Sequence, residues 1–232
     1  SPEGLPRGRG RSPDLRHGST LPYREATELL KCIEIMGEEN NEYCRQEVLG
    51  EKPIPKCAKT HTIPDDVYAA IDVAWTKSGH GGATVTDHGR RIVTDKTGGG
   101  SISLPAEKPG DFTLGTFHTH PYSKSEGSDL GVAFSGGDIT NFVGGAQGSV
   151  KYIGAGSCHF VLDTLRYTDR DECKKKDLNK RWNDTFSSAS GAFQEKVESS
   201  VIATIAGCGL CFYKTCRPDD ASPVPKNAKL VS

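Results

Sequence analysis

The stretch Gly115-Thr116-Phe117-His118-Thr119-His120-Pro121, followed after a Ser/Gly-rich loop by Phe134-Ser135-Gly136-Gly137-Asp138, decides how this chain is read. Residues Phe112 to His118 have the pattern of a strand. Pro121, which has no backbone N–H to give to a ladder, ends it. Side chains two apart on a strand point to one face, so the imidazoles of His118 and His120 aim at a common point. A short helix is expected over Asp138 to Val143, and a carboxylate at its start can reach the same point. Two imidazoles and one carboxylate leave a position open for water, the arrangement of catalytic rather than structural zinc. Water held in this way ionises near neutral pH and becomes a nucleophile. An HxH pair alone is also what an ordinary half-exposed strand carries. Joined to Ser-x-x-Asp it is far rarer, and the combination predicts a metal centre at His118, His120 and Asp138.

On the N-terminal side of that strand the β-branched runs Ala83-Thr84-Val85, Arg91-Ile92-Val93 and Ser101-Ile102-Ser103-Leu104 are parted by turn residues, which predicts a meander. Before them Pro64-Asp65-Asp66 starts a helix with the stripe Val67, Ala70, Ile71 and Ala74, and Gly79 ends it. A helix from Tyr23 to Met36 stops at Gly37, and a shorter one runs from Glu39 to Val48. On the C-terminal side, Val150 to Ile153 and Cys158 to Leu165 return to strand. Trp182, Phe186, Ala189, Phe193, Val197, Val201 and Ile205 then recur every three or four residues, which predicts one continuous long helix through Gly191. The charged stretch Asp169 to Arg181 mixes both signs and reads as a solvated helix face. The fold class is α+β, a sheet flanked by helices. Its expected divisions are a flexible leader (1–22), a helical N-terminal extension (23–60), a core (61–167), a C-terminal helical segment (168–216) and a tail (217–232).

The chain has 232 residues and a formal net charge of −1. That balance counts against nucleic acid as the main partner, because phosphate-rich ligands call for basic excess. No apolar run is long enough to span a membrane, and the polar, Arg-rich start lacks the apolar region of a cleavable signal peptide. The 8 cysteines admit on the order of a hundred pairings. They read as disulfides or buried thiols. Cys208-Gly-Leu-Cys211 resembles half of a zinc ribbon or a redox motif, but no second CxxC exists to complete a ribbon, and the pair ends a helical stretch rather than lying at the strand-to-helix turn of a thioredoxin-like site.

His118-Thr119-His120-Pro121 with Ser135-Gly136-Gly137-Asp138 resembles the signature of the JAMM (MPN+) zinc metallopeptidases, over about residues 65–165. The resemblance implies an MPN-like curved mixed sheet and cleavage of peptide or isopeptide bonds. It implies Zn2+ on His118, His120 and Asp138, with Ser135 donating a hydrogen bond to the tetrahedral oxyanion. The spacer at 121–134 is longer than the family's usual one, which loop entropy tolerates. The family's early-strand Glu has no counterpart, since no glutamate lies between Glu51 and Glu107. Gly79-His80-Gly81-Gly82 stands where related sequences show Glu-x-Gly-Gly, which makes His80 the candidate base, with Glu107 and Glu126 as alternatives.

Ser1-Pro2-Glu3-Gly4-Leu5 resembles the DPxGL motif that closes the Rhs-repeat shell of bacterial polymorphic toxins, with Ser where Asp is usual. That resemblance implies a secreted effector released from an Rhs-repeat shell, of the type VI secretion kind, and delivered into a target cell. A protein substrate there and a cognate immunity protein in the producing cell would be its partners. The alternatives are a catalytically impaired MPN-like binding module and a metal-dependent nuclease toxin.

Overall fold

A computed structural model describes residues 21–37, 40–49, 56–78, 81–86, 89–94, 113–120, 132–145, 148–165 and 173–231, with backbone alone at 41–43, at 46 and over 72–94. The elements run α1 (Tyr23–Met36), α2 (Asn41–Leu49), β1 (Thr60–Thr62), α3 (Asp65–Ser78), β2 (Gly81–Thr86), β3 (Gly89–Thr94), β4 (Thr113–His120), α4 (Gly136–Gly144), β5 (Val150–Ala155) and β6 (Cys158–Thr164). They continue with α5 (Leu178–Ser188), α6 (Phe193–Ile205), β7 (Leu210–Cys216) and β8 (Asn227–Leu230). The α+β class holds. The eight strands form one sheet in the order β1-β8-β7-β6-β5-β4-β2-β3. Neighbours are antiparallel except β4 and β5, which run parallel. A parallel pair needs a crossover, and α4 supplies it.

β4 lies in the interior of the sheet, between β2 and β5. All eight of its residues are buried, as expected of a strand paired on both edges and covered on both faces. Phe117 points into a core shared with Ile63, Val67 and Ile71, under α3. The opposite face carries His118 and His120. There Phe134, Ile139 and Phe142 from around α4 meet Ile153, Phe160 and Phe212 of the sheet and Val197 and Val201 of α6. A third cluster, Ala26, Leu29, Leu30, Cys44 and Leu114, seats α1 and α2 at the start of β4.

Two expectations are corrected. The stripe from Trp182 to Ile205 is divided between α5 and α6. Gly191 adopts φ 108°, a conformation that favours glycine. The Glu195 carboxylate accepts the Ala192 N–H at 2.9 Å, which starts a new helix. The stripe survives as packing, since Phe193 meets Phe186 edge-on at 5.4 Å and Trp182 stacks on Phe186 at 5.1 Å. The second correction concerns the C-terminus. The helical segment 168–216 ends in strand β7, and the tail holds β8, which pairs with both β7 and β1 around a fully buried Ala228. Of the solvated face expected over Asp169 to Arg181, Cys173 and Leu178 are buried, and residues 169–172 lie outside the described residues. So do most of the leader and the strand expected at Ser101 to Leu104.

All eight cysteines are paired, as Cys32–Cys44, Cys57–Cys211, Cys158–Cys216 and Cys173–Cys208. The Cys208-x-x-Cys211 motif is thus split between two bridges. Cys208 belongs to the core under α4 to α6, and Cys211 to the core under α3. No helix among the described residues is long and apolar enough to cross a membrane.

Candidate metal centre

The C-terminal end of β4 and the first turn of α4 meet on one face of the sheet. His118 and His120 stand there at two-residue spacing, each 7 % exposed. Ser135 is the N-cap of α4, and Asp138 is its third residue. The Ser135 hydroxyl accepts the Asp138 N–H at 3.1 Å, and Asp138 Oδ2 accepts the Ser135 N–H at 2.8 Å and its hydroxyl at 2.7 Å. This reciprocal cap fixes the carboxylate before any ligand arrives. Gly136 lets α4 lie close to α5. A Cβ there would come within 2.5 Å of Asn179 Oδ1 and 3.0 Å of Trp182 Cβ. The Trp182 indole N–H donates to the Phe134 carbonyl at 3.0 Å, so α5 also holds the chain just before the cap.

Nε2 of His118 and Nε2 of His120 lie 2.8 Å apart. Asp138 Oδ1 is 3.1 Å from the first, and Oδ2 is 3.5 Å from the second. Among the described residues these three side chains form a group whose ligand atoms all lie within 4.8 Å of one another. His120 Nδ1 lies 3.0 Å from the Val132 carbonyl. A carbonyl only accepts, so Nδ1 carries the proton and Nε2 offers its lone pair, the tautomer a metal requires.

Burial pushes His118 down to about 4, against the pull of Asp138, so its ring is neutral at pH 7. Burial works against the charge of Asp138, but the two histidines beside it outweigh this and hold the carboxyl well below its usual range. The two Ser135 bonds favour the same charged form. Neutral imidazole beside carboxylate is the protonation state in which such groups ligate a metal.

The predicted trio is therefore brought together. Ser135 stands beside it, with its hydroxyl directed to Asp138. His80, Glu107 and Glu126 lie outside the described residues. Two polar features are additions. Lys151 of β5, 3 % exposed, places its ammonium 3.8 Å from Asp138 Oδ1. Its only signal in the sequence is a lysine breaking the apolar run from Val150 to Ile153. On the other face His61 Nδ1 lies 3.3 Å from Asp163 Oδ2, and His61 Nε2 lies 3.1 Å from the Tyr152 hydroxyl. No spacing announced that group, because β1, β5 and β6 bring it together only through the sheet. No family model, curated protein or solved structure matches the chain.

Proposed function

We propose that this chain is a zinc-dependent hydrolase of peptide or isopeptide bonds that acts as a secreted effector toxin domain. The observation that carries the reading is the convergence of His118 Nε2, His120 Nε2 and Asp138 within 4.8 Å, on elements fixed by their own caps and pairings. Two imidazoles and a carboxylate suit zinc, and three protein ligands leave room for water. When bound, the ion would supply an activated water at neutral pH and polarise a substrate carbonyl.

The chain's own groups would do the rest. The Val132 carbonyl holds the His120 ring by Nδ1–H, and the Ser135 cap keeps Asp138 aimed at the two rings. The Ser135 hydroxyl has one proton. In its oxyanion role that proton turns from Asp138 Oδ2 to the substrate oxygen, while the Ser135 N–H continues to hold the carboxylate. His80 remains the candidate base on sequence grounds, and the MPN-like arrangement belongs to the same proposal.

The four disulfides support an exported protein, because such bridges persist in oxidising compartments. Release from an Rhs-repeat shell, delivery into a target cell and a cognate immunity protein rest on the Ser1–Leu5 resemblance. A second reading, a module that binds metal without turnover, is favoured by the lack of any glutamate between Glu51 and Glu107.

One experiment separates the two. The chain is loaded with zinc, its metal content is measured, and a fluorogenic peptide and an isopeptide-linked conjugate are offered. Turnover that is lost in His118→Ala supports the hydrolase. Full zinc occupancy without turnover leaves the binding module, and no zinc uptake removes both.

A further inference from the structure

Lys151 lies in the middle of the sheet, on the metal side. In the parallel register of β4 and β5 it is opposite Thr116, with His118 opposite Ile153 and His120 opposite Ala155. Alternation then puts Thr116, His118, His120, Lys151 and Ile153 on one face. From there the ammonium reaches Asp138 twice, at 3.8 Å from Oδ1 and 3.5 Å from the main-chain carbonyl. Thr116 is 2 % exposed, and among the described residues its hydroxyl has no hydrogen-bond partner.

We propose that Lys151 is the resident counter-cation of the metal centre: it neutralises Asp138 while the site is empty and lowers the site's affinity for a divalent ion. The inference rests on the metal-centre reading above. A carboxylate largely withdrawn from water, as Asp138 is with its side chain 15 % exposed, is costly without a positive partner, and Lys151 supplies one directly from the sheet. The same charge opposes the arrival of a metal in two ways. Asp138 must give up part of its interaction with the ammonium, and the ammonium is left close to a second cation. Thr116, across the strand pair, offers an acceptor to which the flexible lysine head can move when the metal takes the carboxylate. Lys151 is thus a positioning residue that acts through Asp138. The consequence is a chain that folds before it is loaded, with the metal acquired later.

The test titrates Zn2+ into the full chain and follows thermal unfolding with and without the ion. In Lys151→Met the zinc dissociation constant should fall by roughly tenfold or more, the size of effect that groups contacting metal ligands commonly have. The metal-free melting temperature should drop and zinc should restore it. Lys151→Arg, which keeps the charge, should keep the native affinity. A residue that only fills space would lower both melting temperatures together and leave the affinity unchanged, and that result overturns the proposal. Should Lys151→Met fail to fold, Thr116→Val decides. It should weaken zinc several-fold by removing the acceptor, and unchanged binding overturns the proposal. A native chain that takes up no zinc removes the metal centre itself. Zinc binding in the native chain with no tightening in the methionine variant removes only the role of Lys151.

Discussion

The sheet carries a histidine–aspartate group on each face, and the two differ in what their polar atoms have left to do. Under α3, His61 engages both ring nitrogens, one with Asp163 and one with the Tyr152 hydroxyl. Asp163 Oδ1 accepts the Tyr23 N–H at 3.2 Å and the Thr164 N–H at 2.8 Å, which ties the start of α1 to β6. Every atom points at a protein partner, so the group works as a clasp. Under α4, the two Nε2 atoms face each other with a carboxylate beside them, and His120 uses its other nitrogen to fix the ring. Those ligand atoms point at a shared position. Proximity of His and Asp alone therefore marks nothing, and it is the convergence of ligand atoms from three side chains on one position that marks a site.

The sharpest way to break this contrast is to remove one histidine from each face. His118→Ala or Asp138→Ala should abolish zinc uptake, a loss beyond about 100-fold, since even groups that merely touch ligands are worth that much. His61→Ala should leave uptake intact. Elemental analysis after zinc loading and dialysis measures both, and equal loss in the two variants would erase the distinction.

Next in size is the bridge beside the clasp. Cys57–Cys211 closes a sequence separation of 154 and packs with the core under α3. Replacing both cysteines by serine should cost about 5 kcal/mol, from the loop-closure entropy regained by the unfolded chain. Chemical denaturation measures it, and the zinc affinity of the folded fraction should be unchanged.

Acid probes one histidine from each face. Burial lowers His118 and His159 from 6.5 to about 4, with Arg217 adding to the effect at His159. Between those values the unfolded chain binds protons that the folded chain refuses. Stability of the metal-free protein should therefore fall as pH drops from 6.5 towards 4, by up to roughly 3 kcal/mol per group, and stay level above that window for these two groups. His159→Gln should flatten the slope by up to one proton in denaturation curves recorded across pH 4.5–7.

The smallest effect tests the clasp itself. Tyr152→Phe removes the hydroxyl from His61 Nε2 and should cost about 1 kcal/mol of stability, read as a lowered melting temperature, without touching zinc uptake.

The candidate metal centre was legible because it is built from local geometry. His118 and His120 are two apart on one strand, and Ser135 and Asp138 are three apart in one helical cap. Both relations survive whatever the rest of the chain does. What escaped reading depends on distant pairing or on competition. β8 is four residues long with two apolar side chains, and only the edges of β7 and β1 make it a strand. The helical period across residues 182–205 is real, yet the Gly191 conformation and the Glu195 cap outweigh it. Lys151 could be seen as an oddity in an apolar strand, but its partner was set by the parallel register of β4 and β5. The cysteine pairing followed from the same long-range order, which sends Cys208 and Cys211 to opposite faces.

The Cys57–Cys211 bridge makes the oxidised chain a closed ring with an arm on either side, and all three candidate metal ligands lie within the ring. A ring cannot be drawn tail-first through a passage one strand wide. Anything that moved the oxidised chain through such a passage would have to carry it folded, admit a doubled strand, or meet it before the bridge forms.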